Sequence, residues 1–327
     1  MHARVAHSAR TPKTSAPART DSMASSPSPE SGSTVRPYRP DDEPGVRELI
    51  DADRLPGQPH CTPEGLAAAR RGPVPPADLA IPARPQISVL AGARDCPQGV
   101  IAYLSWADVH TGVICWLYAR EDPPALRVLI GHALGALAHC PQIEAFVAAP
   151  PGPLGPGGLP RAHRGATHDA LLRSGFTGRL QGSYLYCALP AELPPAKLCA
   201  DVVPCDFPPG QRLIVRRGAE PVAEAVISVG PDHTATVYWI ETLPTHRHRG
   251  LGHELLGQAL ALLAEQGATE VALVVDERPP TNDDSQAAPR LFDSFGFTLV
   301  DELWTYRCRH PRAPRSAAFS PGVGQRP

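Results

Sequence analysis

The feature that most constrains this chain is a repeat. Ser174-Gly-Phe-Thr177 reappears as Phe295-Gly-Phe-Thr298, and each copy runs into an aromatic, strand-like stretch, Ser183–Leu189 and Glu302–Cys308. Upstream, Trp116 and His132 stand in the same strand-to-helix context as Trp239 and His253. One mixed α/β unit used twice explains these matches economically, and a chain of 327 residues has room for two domains with their own cores.

Hydrophobic periodicity fills in the two copies. In the first, Thr34–Tyr38 reads as a strand, and Pro44–Asp53 reads as a helix with Val46, Leu49 and Ile50 on one face. Thr62-Pro-Glu starts a second helix, Thr62 acting as N-cap and Pro63 taking the first helical position. Strands follow at Gln86–Ala91, Gly99–Trp106 and Gly112–Tyr118, then a helix at Ala125–Ala138, a strand at Ile143–Ala148 and a Pro/Gly-rich loop at Pro150–Pro160. The second copy is shorter: strands at Asp201–Val203, Arg212–Val215, Val222–Val229 and Thr234–Thr242, a helix at Leu251–Gln266 ended by Gly267, and a buried strand at Glu270–Val275. Its opening helices are missing. The expected organisation is a tail at 1–33, a first domain at 34–189, a linker at 190–200, a second domain at 201–309 and a tail at 310–327. The tails are too poor in large apolar side chains to offset the entropy of ordering them. Met23 is an alternative start to Met1.

A net charge of -2 argues against an obligate nucleic-acid binder. Eight scattered cysteines, without a C-x-x-C pair, suggest reduced thiols and a cytoplasmic protein, and no apolar run is long enough to span a membrane. The 40 prolines fit a compositional bias as well as any functional demand.

Chemistry concentrates in Tyr238-Trp-Ile-Glu-Thr-Leu-Pro-Thr-His-Arg-His-Arg-Gly-Leu-Gly252, which leads from a strand into a helix. A helix start presents unpaired N–H groups and partial positive charge to an anion. Gly250 and Gly252 remove the side chains that would keep a phosphate away, while Arg247 and Arg249 add fork-shaped donors. The loop has neither the Walker spacing nor the dinucleotide G-x-G-x-x-G, since Leu255 stands where the third glycine belongs.

Arg247-x-x-Gly250-x-Gly252, followed by a long apolar helix and a buried strand, resembles the acetyl-CoA signature of the GCN5-related N-acetyltransferase (GNAT) family. Leu291-Phe-Asp-Ser-Phe-Gly-Phe297 resembles the family's later Leu-Tyr-x-x-x-Gly-Phe element. The resemblance covers Arg212–Arg309 and implies two GNAT-like mixed sheets flanked by helices, in tandem, the first degenerate. In the first copy the corresponding loop, Ala119-Arg-Glu-Asp-Pro-Pro124, has no glycine and two acids that would repel a pyrophosphate.

The resemblance further implies that acetyl-CoA lies between the strands Thr234–Thr242 and Glu270–Val275 and donates its acetyl group to an amine by direct attack. The donor would contact Ile240, Thr242, Arg247, His248, Arg249, Gly250, Leu251 and Gly252. Ser285, where the family often has Asn, and Phe292, where it often has a Tyr acid, are also expected to contact the donor, Ser285 through the pantetheine amide. Glu241 and Tyr238 are the candidate bases, on opposite faces of a regular strand unless it bulges. His246, His248 and His253 lack the carboxylates or cysteines of a metal site, so no metal is expected. Tyr306 and Cys308 are read as core residues. The missing opening helices would leave the acceptor pocket uncapped, so the first copy or a second subunit should supply that wall. The expected partner is a small-molecule or peptide amine, with no nucleic acid or membrane, and the assembly a monomeric pseudo-dimer or a homodimer. A non-catalytic acyl-CoA-binding or regulatory module is the competing reading.

Overall fold

A computed structural model describes residues 32–71, 84–106, 110–147, 154–189, 198–206, 208–230, 232–276 and 287–309. The tails apart from Gly32 and Ser33, the linker through residue 197, and Ser285 lie outside the described residues.

The first half runs β1 (Thr34–Pro37), α1 (Glu43–Ala52), α2 (Pro63–Arg71), β2 (Gln86–Ala91), β3 (Pro97–Trp106), β4 (Thr111–Tyr118), α3 (Pro123–Ala136), β5 (Gln142–Ala145), β6 (Leu159–Pro160), α4 (Gly165–Arg173) and β7 (Thr177–Ala188). The second runs β8 (Asp201–Asp206), β9 (Pro209–Arg217), β10 (Glu220–Val229), β11 (Thr234–Thr242), α5 (Leu251–Glu265), β12 (Glu270–Asp276), α6 (Ala287–Asp293) and β13 (Thr298–Arg309). Local chemistry sets many of these limits. The Thr62 hydroxyl accepts the Gly65 N–H at 3.0 Å and starts α2. Gly267, at φ +89°, ends α5 in the left-handed region. The strand expected to reach residue 148 stops at Ala145, because Phe146 turns the chain at φ +54°.

The mixed α/β architecture agrees with the sequence reading, and its two expected sheets are joined into one. Strand order is β1-β2-β3-β4-β5-β13-β7-β12-β11-β10-β9-β8, with β6 added against β13. The last strand of each half has changed places: β13 pairs antiparallel with β5 of the first half, and β7 pairs antiparallel with β12 of the second. The two exchanged strands pair with each other along Thr177–Tyr186 and Thr298–Arg307.

Core packing follows the exchange. Tyr306 and Cys308, from the end of the chain, are buried among Leu126, Leu129 and Leu171 in the first half's core. Cys187 enters the second half's core beside Leu255 and Val271. Asp301 accepts the backbone N–H groups of Ala162 (2.9 Å) and His163 (2.7 Å) in the turn before α4. Tyr306 is 2 % exposed, and its hydroxyl lies 2.7 Å from His168 Nδ1 on α4.

On this packing, Tyr306→Ala should destabilise the protein by about 3–5 kcal/mol and Tyr306→Phe by about 1 kcal/mol in urea titrations. Hydrogen exchange should show the Tyr306→Ala loss at β5 and α4, more than 130 residues away in sequence. Protection lost only in the second half would contradict the exchange.

Candidate functional site

The site grows from a pair of parallel strands that begin together and then part. β11 and β12 pair only over Thr234–Val237 with Glu270–Leu273. Beyond Val237, β11 stays paired to β10, while among the described residues no strand pairs with its other edge, which borders a cleft. The first half repeats this geometry: β4 and β5 pair only over Thr111–Ile114 with Gln142–Ala145.

Where the strands part, β11 carries an extra residue. Ile227 lies opposite Val237 and Val226 opposite Trp239, so Tyr238 is a bulge. The bulge changes which side chains share a face. Ala235, Val237 and Ile240 all pack toward α5 in the second core. Tyr238 falls on the other face, where its phenol hydrogen-bonds Ser228. Trp239 shares that face: its indole N–H donates to Glu224 at 3.4 Å, and the Arg212 guanidinium sits 5.8 Å from its ring. By the alternation on either side of Ile240, Glu241 points the same way, exposed. Thus Glu241 and Tyr238, on opposite faces of a regular strand, share one face here. Burial pushes the Tyr238 phenol above its usual range, with the Ser228 bond acting in the opposite sense.

The loop after β11 delivers the chain to α5. Leu243 N–H bonds Val222 O (2.9 Å), His246 N–H bonds Leu243 O (2.8 Å), and Arg247 Nε returns to Thr242 O (3.1 Å). His248 (φ +59°) and Gly250 (φ +78°) are left-handed, and Gly250 caps α5 without a side-chain hydrogen bond. Gly250 answers a backbone demand, since other residues meet steric cost at that φ. Gly252 answers a different one. A Cβ there would meet only Leu291 Cδ2 and Thr242 Oγ1, both at 3.7 Å, an ordinary contact. The fold would accept alanine, so the glycine leaves open the space at the mouth of the helix. The loop from Arg247 to Gly250 is exposed. An anion would meet first-turn N–H groups, the helix dipole and the Arg247 and Arg249 side chains together.

Ile240, Thr242 and Leu251 are half-buried beside this loop, Ile240 and Leu251 packing on the second core. Phe292 is instead a core residue, 5 % exposed with its ring 5.8 Å from Phe297. His253 stacks on Phe295 with ring centroids 4.6 Å apart. Among the described residues no group of three His, Cys, Asp or Glu is placed to hold a metal. None of the helices among them is long and apolar enough to cross a membrane.

The first half's cleft is filled from within. Its helix start is taken by Asp122, whose carboxylate accepts Ala125 N–H at 3.1 Å. Glu121 turns inward at φ +52° and accepts Arg164 Nε (3.2 Å) and Thr167 N–H (2.8 Å). Arg164, 2 % exposed, donates to Leu117 O on β4 at 2.7 Å and lies over the Tyr118 ring at 4.7 Å. Asp53 sits 3.6 Å from the same guanidinium, its carboxyl raised by burial, an effect the Arg164 charge opposes. Leu117 follows the Cys115 bulge as Ile240 follows Tyr238, so Arg164 binds the first-half counterpart of the Ile240 backbone. The acids foreseen as repelling a pyrophosphate therefore cap α3 and hold this arginine.

The first half also reaches the second's site. Tyr184 donates to Pro56 O at 3.0 Å, and His60 N–H to Asp232 at 2.8 Å, fixing the segment after α1 against β12 and the turn before β11. Leu55 is buried with Tyr184, Ala272 and Leu303 in a core shared by both halves. First-half chain thus lies along that face. Sequence reasoning raised the bulge only as an alternative and missed Arg164 and this segment; a lone arginine before Gly165 carries no motif.

Residues 183–297 match the family model described as acetyltransferase (GNAT) family. This stretch is a GNAT domain. It begins within β7 and stops before β13, so it spans the spatially continuous run from one exchanged strand to the threshold of the other. Among solved structures, a tandem GNAT protein from the clavulanic acid biosynthesis pathway, determined without acetyl-CoA, is similar with a TM-score of 0.61 at 13% identity, over 86% of this chain and 100% of that one. A GCN5-related N-acetyltransferase from Sphaerobacter thermophilus gives 0.57 at 13% identity, over 86% and 97%. A GNAT-family acetyltransferase from Colwellia psychrerythraea gives 0.53 at 9%, over 84% and 99%. These likenesses establish the tandem GNAT fold. No curated protein matches the chain in sequence.

The Arg164 network makes a stability prediction. Arg164→Met leaves Glu121 and Asp53 without their counter-ion, and should cost about 3–5 kcal/mol at pH 7 in urea denaturation. Part of that loss should be recovered at lower pH, where the raised Asp53 carboxyl takes up its proton.

Proposed function

We propose that this chain transfers an acetyl group from acetyl-CoA to an amine, using the second half as the transferase and the first as a cofactor-free scaffold. The two halves correspond to residues 34–189 and 201–309. The observation that carries the reading is the contrast between two equivalent clefts. One ends in a helix start capped by Gly250 without a side-chain hydrogen bond, with Gly252 in its first turn; the other is occupied by Asp122, Glu121 and Arg164. On this reading one acetyl-CoA binds per chain, its pyrophosphate on the first turn of α5 with Arg247, His248 and Arg249 around it. Ile240 and Thr242 line the pantetheine, and a backbone N–H of the bulged segment polarises the thioester carbonyl.

The amine nitrogen attacks the thioester carbon, forming the C–N bond; the C–S bond then breaks and its electron pair leaves on the thiolate. Glu241, exposed beside the cleft, takes the amine proton directly or through a water. Tyr238 suits the opposite duty. Because burial raises its phenol, it stays protonated at neutral pH and serves as donor to the departing thiolate rather than as a base. It thereby fills the role for which Phe292 has no proton. The acceptor class is that of GNAT enzymes, a small-molecule or peptide amine.

Calorimetric titration of acetyl-CoA should give micromolar affinity with one site per chain, and a Gly250→Glu/Gly252→Glu double variant should weaken binding at least 100-fold, about 2.7 kcal/mol. Two sites per chain, or unchanged binding by the double variant, would reject the assignment of the clefts. For the chemistry, Tyr238→Phe should lower turnover on an accepted amine about 10²-fold while leaving acetyl-CoA affinity within twofold. Wild-type turnover should not decline through Tyr238 ionisation below about pH 10, the ordinary phenol value, because the shift is upward. Tight binding with no turnover on a broad amine panel would instead favour the acyl-CoA-binding module.

A further inference from the structure

At the foot of the second cleft, where β11 and β12 still pair, lies a crevice of about 10 Å³. That volume admits about one water-sized group. Its walls come from both halves: Gly57 and Pro59 from the segment after α1, Tyr184 from the exchanged strand β7, and Thr236 and Ala272 from the paired strands. Thr236 and Ala272 face each other across the next-to-last parallel rung, one residue before the bulge pair at Val237 and Tyr238. Ala272 packs with Leu55 and Tyr184 on the face away from α5.

The walls have little freedom to retreat. Tyr184 is 2 % exposed and anchored to Pro56 O. Gly57 is left-handed at φ +72°, and a Cβ there would stand 2.9 Å from Tyr186 Cδ2 and 3.2 Å from Ala272 Cβ. Its backbone therefore lies directly on the two strands, and only glycine allows that approach. His60 N–H on Asp232 fixes the far end of the same segment.

We propose that this crevice sets the acyl length of the donor, accepting the methyl of an acetyl group and rejecting longer chains, with the first half's Gly57–Pro59 segment as the stop. The inference rests on the reading of the second cleft as the acyl-CoA site. A thioester held at the bulge would end one to two residues from Thr236, ~3–7 Å along the strand. The acyl carbons beyond the carbonyl thus point toward a space of one small group. Each further methylene must displace Tyr184, the Gly57 backbone or the neighbouring Gly155–Pro156 wall. The degenerate half consequently supplies a selectivity element to the active one.

The test is a titration of the full-length chain with free CoA, acetyl-CoA, propionyl-CoA and butyryl-CoA. Free CoA reports the pyrophosphate loop alone. Acetyl-CoA should bind at least as tightly as CoA, propionyl-CoA about tenfold more weakly than acetyl-CoA, and butyryl-CoA more weakly still. Thr236→Leu, which fills the crevice, should weaken acetyl-CoA about tenfold while leaving free CoA unchanged. Pro59→Gly, at a half-buried position of the stop segment, should narrow the acetyl-to-propionyl ratio. Equal affinity across the acyl series with intact CoA binding would overturn the length stop and leave the transferase reading in place. Failure of free CoA to bind would overturn both. The wild-type series decides the matter even if a variant does not fold.

Discussion

Everything in this molecule depends on the pairing of β5 with β13. β5 is four residues long and lies beside β4 in parallel, so without a neighbour on its other edge its N–H and C=O groups would face water or an adventitious strand. β13 fills that edge, brings Tyr306 and Cys308 into the first core, and places Asp301 on the turn that starts α4. In return β7 closes the edge of β12 and puts Tyr184 beneath the second cleft. Exchange makes the halves mutual supports, and brings first-half chain to within contact of the second half's open strands.

Two equivalent clefts in one chain show what separates a binding site from a packed interior. Both have splayed strands, a bulge and a helix start. In one, short acidic side chains satisfy the helix N–H groups and hold an arginine that takes the strand carbonyl. In the other, the glycine at the cap brings no side chain to the helix N–H groups. The difference lies in whether a side chain of the protein caps the helix start.

Much of this was legible in the sequence. Local signals located the Thr62 cap, the end of α5 at Gly267 and the Thr234–Thr242 strand, because caps and periodicity depend on near neighbours. The turn into α5 at Gly250 was legible for the same reason. The exchange was not: Ser183–Leu189 and Glu302–Cys308 alternate in the same way whichever β-edge receives them. Nor was the bulge, since an extra residue shows itself only against a partner strand, here Val226 and Ile227. Arg164 was invisible because its meaning comes from Glu121, Asp53 and Leu117, none nearer than 43 residues in sequence.

The exchanged strand also bears on how the chain must be made. During synthesis the first half emerges with β5 formed from residues 142–145, yet its closing strand ends at residue 309. At ribosomal speeds of ~5–20 residues per second that gap amounts to on the order of ten seconds or more, with a sheet edge and the Leu126–Leu171 core lacking their last layer. The nascent first half therefore waits in an incomplete state, most exposed to a second nascent chain offering the same strand. Intramolecular closure wins only because its own β13 arrives tethered, at an effective concentration that a neighbouring chain must exceed.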